Sequence, residues 1–385
     1  MYRDLDNKII NIEGHALSSP YGDGKSLGQP LGVKSIGIVR VFVDSGDYGL
    51  GETYVGVYAP ELIKPIVEFL KPYLLGKKIG NNQYYDVINN LPFIGGSGLL
   101  QSVLSAIEIA IWDLRGKLLN VQTFKLLSKE HRKKIPVYAS SGSAVMTADE
   151  IEADVNNILN DGHDAYKMRV GFKDWSEDLN RVERASNILK QLNKDLMVDA
   201  IMGTIRPAWS LEIAKKSIQD LSIFNLKWIE EPLLPANIGS LIELKQLNLV
   251  PIAAGEAYSC NRDYEKIIQD TSVDYLQFDA THSGGIYYCC ELAAQAQKKQ
   301  MKSALHVWGS AIAISANASV GLACPSIDIL EIPMVTLDIT DEMWLERPTI
   351  VNGILHQSKI PGLGVRIDDK ILNKYKFIPQ SGYKL

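Results

Sequence analysis

KWIEEPLLPA, residues 227–236, is the stretch on which the fold turns. A short apolar run, Trp228-Ile229, ends on two adjacent carboxylates, Glu230 and Glu231, and Pro232 follows at once. The run reads as a buried strand, and the acids stand at its tip. The same pattern recurs on both sides. Short apolar strands are expected at IPVYASS (135–141), AYKMRV (165–170), LMVDA (196–200), LKWIEEP (226–232), PIAAGEA (251–257), VDYLQFDA (273–280), KSALHVWG (302–309) and DILEI (328–332). Helical patterns stand between most of them, such as DEIEADVNNILNDG, SEDLNRVERASNILKQL and IYYCCELAAQAQKKQ. Strand alternating with helix predicts a parallel sheet, and eight such strands predict an α/β barrel of the TIM type.

The sequence before the barrel reads differently. GVKSIGIVRVFVDSGDYGLGE (32–52) predicts paired antiparallel strands with a turn at Ser45-Gly46-Asp47. PELIKPIVEFLKPYL (60–74) and SVLSAIEIAIWDLRGKLL (102–119) have helical spacing. Residues 1–134 are therefore expected to form an α+β domain, residues 135–346 the barrel, and residues 347–385, with PGLGV at 361–365, a tail returning to the first domain. SSPYGDGKSLGQP (18–30) is polar and Gly-rich, which predicts a lid over the mouth, spanning about 18–32, with a second loop at about 51–61.

Composition excludes several classes. The 385 residues carry a formal charge of -5, without the basic stripe of a nucleic-acid binder. No apolar run reaches the ~18 residues of a membrane span. The start, MYRDLDNKII, lacks the apolar core of a signal peptide, so a cytoplasmic protein is expected. Cys260, Cys289, Cys290 and Cys324 form no CxxC pair and are expected to be reduced.

Ionisable residues recur at the strand ends. The second strand has Lys167 and Arg169, the third Asp199, the fourth Glu230 and Glu231. The fifth has Glu256, the sixth Asp279, the seventh His306 and the eighth Glu331. In a parallel barrel these ends meet at one mouth, where active sites are built. Asp199, Glu230 and Glu256 on neighbouring strands would repel unless a cation sits among them, and an all-oxygen set suits Mg²⁺. Lys167 and Arg169, two apart, point the same way off a pleated strand. Asp279 beside His306 would fix the imidazole tautomer and make it a proton-transfer group.

This constellation resembles the enolase superfamily, in its mandelate racemase-like branch. The resemblance is carried by Lys167-Met168-Arg169, Asp199, WIEEP, GE at 255–256, DATHSGG with Asp279, LHVWG with His306 and ILE with Glu331. AIEIAIWDLRGK (106–117) and PGLGV match in the other domain, so the likeness spans nearly the whole chain. It implies a (β/α)7β barrel with a capping domain formed by the N-terminal segment and the tail. It also implies one Mg²⁺ per site on Asp199, Glu230 and Glu256. The shared chemistry is removal of the proton next to a carboxylate, with the ion stabilising the enediolate. Lys167, Arg169, Asp279, His306 and Glu331 would carry it, with Glu331 protonated to donate a hydrogen bond. Glu231 would lie on the opposite face of its strand, held extended by Pro232.

Three positions depart from the family pattern. Ile201 and Ala257 replace common asparagines, and Arg169 stands where many relatives have a second lysine. Arginine is a poor base, which disfavours a racemase that needs a base on each face. The expected reaction is dehydration of an acid sugar to a 2-keto-3-deoxy acid. Cycloisomerisation of a sugar-acid lactone follows, then racemisation or epimerisation of a 2-hydroxy acid, then non-enzymatic binding of sugar acids. Tyr21, Lys25, Tyr54, Tyr58, Arg206, Trp209 and Trp308 are candidate substrate contacts. The expected partner is a small acid sugar or its lactone, with neither nucleic acid nor membrane. The resemblance implies a homo-oligomer, from dimer to octamer.

Overall fold

A computed structural model describes residues 5–22, 30–81, 96–259 and 261–384. The chain opens with an antiparallel sheet in which β1 (Ile9–Pro20) pairs with β2 (Val33–Val43), and β2 with β3 (Tyr48–Thr53). The expected turn joins β2 to β3, with Gly46 at φ 89° and Ser45 Oγ donating to Asp47 Oδ2 at 2.7 Å. β1 corrects the lid boundary: Ser18, Ser19 and Pro20 pair with Ser35, Lys34 and Val33. Polar composition suggested a loop there, but two of these hydroxyls are buried in bonds to other segments. The helix Gly98–Leu118 lies directly on β3. A Cβ on Gly49 or Gly51 would come within 1.9 Å and 1.8 Å of the Ala110 and Ala106 carbonyls, so this approach needs glycine at both.

The barrel follows as β4 (Lys134–Ser140), β5 (Ala165–Arg169), β6 (Asp195–Asp199), β7 (Trp228–Glu230), β8 (Ile252–Ala254), β9 (Tyr275–Phe278), β10 (Lys302–Leu305) and β11 (Ile327–Pro333). Each strand pairs with the next, and β11 pairs in parallel with β4 to close the ring. A helix follows each strand from β4 to β10, giving the (β/α)7β order. No helix among the described residues is long and apolar enough to cross a membrane.

One residue per strand fills the lower barrel: Tyr138, Ala165, Met197, Trp228, Ala253, Tyr275, Ala304 and Ile329. Three alanines leave room for the large rings, and Trp228 meets Tyr138 at 5.4 Å and Tyr275 at 4.9 Å. Two residues further along, pleat alternation returns each strand to the same face. Those positions are Ser140, Lys167, Asp199, Glu230, Gly255, Gln277, His306 and Glu331. The aromatic plug thus fixes the height at which the ionisable residues emerge.

The tail begins on the barrel, not on the first domain. β12 (Thr349–Val351) and β13 (Ile354–His356) form a hairpin, and β13 pairs antiparallel with β4. Beyond it the chain crosses to the other domain. Leu363 N donates to Asp113 Oδ1 at 2.8 Å, Ser381 Oγ lies 2.9 Å and 2.6 Å from the hydroxyls of Ser18 and Ser35, and Tyr383 N donates to Val57 O at 2.7 Å.

Candidate active site

Lys167 stands at the centre of the barrel mouth. Its ammonium is 2.7 Å from Glu230 Oε1, 3.0 Å from Glu331 Oε1 and 3.4 Å from Asp199 Oδ2. Burial alone would lower its pKa, but Glu230 and Glu331 outweigh this and hold it well above the usual lysine range. Glu230 also accepts from Trp228 Nε1 at 3.0 Å. Burial works against its charge, yet the Lys167 ammonium keeps it below the ordinary glutamate value.

Glu331 differs from the expectation of a protonated donor. Burial opposes its charge, but Lys167, His306 and Arg169 together pull it down to about 2. It is a carboxylate here, and its Oε2 accepts from Val307 N at 3.1 Å. Arg169 donates to Ser141 O at 2.8 Å and lies 3.9 Å from Asp199 Oδ2.

Glu231 departs further. It was expected to be extended and turned away, but its φ is +42°. β7 ends at Glu230, so pleat alternation no longer governs the next residue. The left-handed turn buries the Glu231 side chain near the other acids. Burial, then Asp199 and Glu230, raise its pKa to about 8. Ile201, with φ +45°, makes the matching turn after β6. There Asp199 Oδ1 accepts from Ile201 N at 3.0 Å. Burial and then Glu230 push Asp199 up to about 6.

Glu256 follows Gly255, whose φ of +136° and close approach to Gln277 O (2.1 Å from an added Cβ) admit only glycine. Burial, then Glu231 and Glu230, push Glu256 well above the usual range. Its Oε2 is buried without a hydrogen-bond partner. Among the described residues no three His, Cys, Asp or Glu side chains are gathered as a ready-made ion site. Asp199 and Glu230 turn to the Lys167 ammonium instead. The donor chemistry nonetheless fits a hard divalent cation: the candidate donors are all oxygens, the acids outnumber the cations, and one buried carboxylate oxygen accepts no hydrogen bond.

Across the mouth, His306 Nδ1 lies 3.0 Å from Asp279 Oδ2. Asp279 Oδ1 accepts from Thr281 N, Thr281 Oγ1 and Asn317 Nδ2, each at 2.8 Å. The aspartate is thereby fixed, and it fixes the imidazole with Nε2 turned to Glu256 at 3.3 Å and Glu331 at 4.0 Å.

Residues of the first domain brace this pair. Glu52 accepts from Ser310 Oγ at 2.6 Å and from the backbone of Ser310 and Ala313, at the start of the helix after β10. Glu108 accepts from Ile286 N and Tyr287 N at 2.7 Å and 3.0 Å, at the start of the helix after β9. Each carboxylate meets the free N–H groups of a helix N-terminus. Lys34, fully buried, donates to Trp308 O at 2.8 Å. Sequence reasoning missed all three. A charged residue inside the apolar strands, as at Lys34 and Glu52, was the signal to follow.

A cleft open to solvent lies over these groups. Asp199, Arg169, Glu256 and His306 line one part, and Tyr21, Tyr54, Tyr58, Trp308 and Tyr383 another. Four expected contacts, Tyr21, Tyr54, Tyr58 and Trp308, therefore reach it. Lys25 and Cys260 lie outside the described residues. Arg206 is exposed and donates to Ile205 O in its own loop at 2.7 Å, and Trp209 packs on Trp175 at 5.5 Å. Neither lines the cavity, because that loop folds on itself and on the helix after β5. Tyr383 gave no signal, since nothing in the local sequence says where a tail residue will dock.

Comparison with known proteins supports the same lineage. The chain is 27% identical over 361 residues to the D-galactonate dehydratase of Klebsiella pneumoniae, covering 89% of this chain and 91% of that one. The solved 3,6-anhydro-D-galactonate cycloisomerase from Zobellia galactanivorans superposes with a TM-score of 0.85 at 27% identity, over 96% of this chain and 99% of that one. The L-talarate/galactarate dehydratase of Salmonella typhimurium, solved with Mg, shares the fold at 24% identity, with a TM-score of 0.84 over 97% of this chain and 94% of that one. Residues 150–371 match the family model described as enolase C-terminal domain-like. With that match over more than half its length, and the closed barrel and antiparallel cap around it, the chain belongs to the enolase superfamily of enzymes.

Proposed function

We propose that the chain is an acid-sugar dehydratase, a hydro-lyase that removes the proton next to a carboxylate and expels a β-hydroxyl. The observation that carries this reading is the Asp279–His306 pair on one cavity with Asp199, Glu256 and Arg169, beside the buried Lys167–Glu230 pair. The likeness to a D-galactonate dehydratase supports it.

His306 Nε2 is the base in this reading. Its other nitrogen is engaged by Asp279, so Nε2 is the nitrogen left for proton transfer at the cavity, 3.3 Å from Glu256 Oε2. Lys167 is held protonated by its three acids, and Arg169 does not titrate in the working range, so both supply positive charge. Asp199, Glu230 and Glu256 would hold a magnesium ion, which supplies positive charge beside the substrate carboxylate. After taking the proton, His306 can return it to a hydroxyl leaving from the same face as water, and the enol that remains gains a proton at the β-carbon and loses its hydroxyl proton to become the 2-keto-3-deoxy acid.

The test is a screen of sugar acids with Mg²⁺, scoring 2-keto acid formation and solvent-deuterium exchange next to the carboxylate. Turnover with loss of water supports the reading. Binding of every acid without exchange would leave only a binding protein. The same base acting on a ring-closed substrate would open it without losing water, the activity named for the Zobellia relative. A product of unchanged mass distinguishes that cycloisomerisation from dehydration.

A further inference from the structure

The cavity wall beside His306 is a patch of rings. Tyr54 meets His306 edge-on at 5.7 Å and Trp308 at 6.2 Å. Trp308 lies 6.1 Å from Tyr58 and 5.2 Å from Tyr383, and those two tyrosines are 5.6 Å apart. The patch is continuous, although its members come from the turn after β3, the end of β10 and the tail. Burial raises the three phenols above their ordinary value, so the wall is uncharged at neutral pH.

The polar handles behind the wall are already taken. Trp308 Nε1 donates to Tyr21 OH at 3.1 Å, and the Lys34 ammonium sits 4.2 Å from the Trp308 ring centre. Lys34 is buried and bonded to Trp308 O, so it braces the indole and does not face a ligand. Arg169 is the only lysine or arginine lining the cavity among the described residues. Ser141 O and Asp199 engage it.

These facts bear on the charge of the substrate. One carboxylate has a place at the acid cluster, through the cation that cluster would hold. A second would lie, among the described residues, against rings and acids with no counter-charge beyond the engaged Arg169, and desolvating it there is unfavourable. C–H surface loses nothing against the rings, and hydroxyls can reach the phenols.

We propose that the substrate is a sugar monoacid, with one carboxylate at the acid cluster and an uncharged remainder packed on Tyr54, Tyr58, Trp308 and Tyr383. The inference rests on the acid-sugar reading above and sharpens it.

The experiment uses the full chain with Mg²⁺ and six-carbon pairs of matching configuration that differ only in oxidation at the far end, an aldonate against its aldarate, as galactonate against galactarate. Calorimetry reads binding, and 2-keto acid formation reads turnover. The best aldonate should bind at least about 100-fold more tightly than its aldarate. Tyr383→Arg, which supplies a cation in the wall, should narrow that ratio at least about 10-fold, and Trp308→Ala should weaken the aldonate about 10-fold. Circular dichroism confirms that each variant is folded. An aldarate that binds as well as its aldonate, no binding by either class, or a ratio unmoved in folded Tyr383→Arg would overturn the proposal. Preferential aldonate binding without turnover would uphold it and sink the dehydratase reading instead.

Discussion

Asp279 and Glu231 are both buried carboxylates just past the ends of barrel strands, and their surroundings differ sharply. Asp279 has three donors on one oxygen and His306 on the other. Glu231 has Asp199 and Glu230 for neighbours and is pushed up to about 8 by burial and by them. The same division runs through the whole mouth. On the β9–β10 side the Asp279–His306 pair is held by hydrogen bonds to both aspartate oxygens, and the helices behind it are braced by Glu52, Glu108 and Lys34. The β6–β8 side holds mutually repelling acids around one ammonium. A proton-transfer group must be positioned by the chain itself, whereas a cation site is finished by the cation.

The largest expected effect lies on the finished side. His306→Asn should lower kcat by about 10³-fold or more, within or above the range for loss of a positioned base, while calorimetry still shows metal binding. On the other side, Lys167→Met removes the partner of three buried acids. It should cost about 3–5 kcal/mol of stability by chemical denaturation in EDTA. Added Mg²⁺ should restore part of that loss, and failure to do so would separate Lys167 from the cation site. For the unaltered protein, Mg²⁺ at a hundred times its Kd should add about 2.7 kcal/mol, read as a rise in Tm over an EDTA control.

The smallest effects are in pH. Glu231 has a folded pKa of about 8, above its unfolded value, so the folded state binds the extra proton. Its contribution is full below about 4.5 and is lost as pH rises through about 8. Stability of the metal-free protein should therefore fall across that window, by at most about 1.4 kcal/mol per pH unit for one group. Glu231→Gln should flatten the slope. Glu331, with a folded pKa of about 2, acts in the opposite sense: its contribution is present above its ordinary value of 4.5 and is lost as pH falls through about 2. A slope that survives in Glu231→Gln would assign it to Asp199 or Glu256.

Much of the barrel was legible because period and charge coincide. Trp228 and Glu230, or Ala304 and His306, are two apart on one face, and strand alternation carries the eye from plug to mouth. Legibility stopped where the pleat stopped. Glu231 was misplaced because its positive φ belongs to a turn that no alternation describes. β1 was missed because Ser18 and Ser19 look like loop residues until Ser381 and Ile339, distant in sequence, supply their partners. Tyr383, Glu52 and Lys34 answer to tertiary contacts across hundreds of residues. Local pattern could flag the last two as misfits but could not say what they touch.

The ring-lined wall has a consequence for protein engineering. Its members come from three separate stretches, and Trp308 is gripped by Lys34 and Tyr21 from the opposite domain. Selectivity is therefore not a cassette: transplanting the N-terminal module of a relative would bring two tyrosines without their indole and their C-terminal partner. A working chimera would have to exchange residues 21–58, 306–310 and 381–383 together.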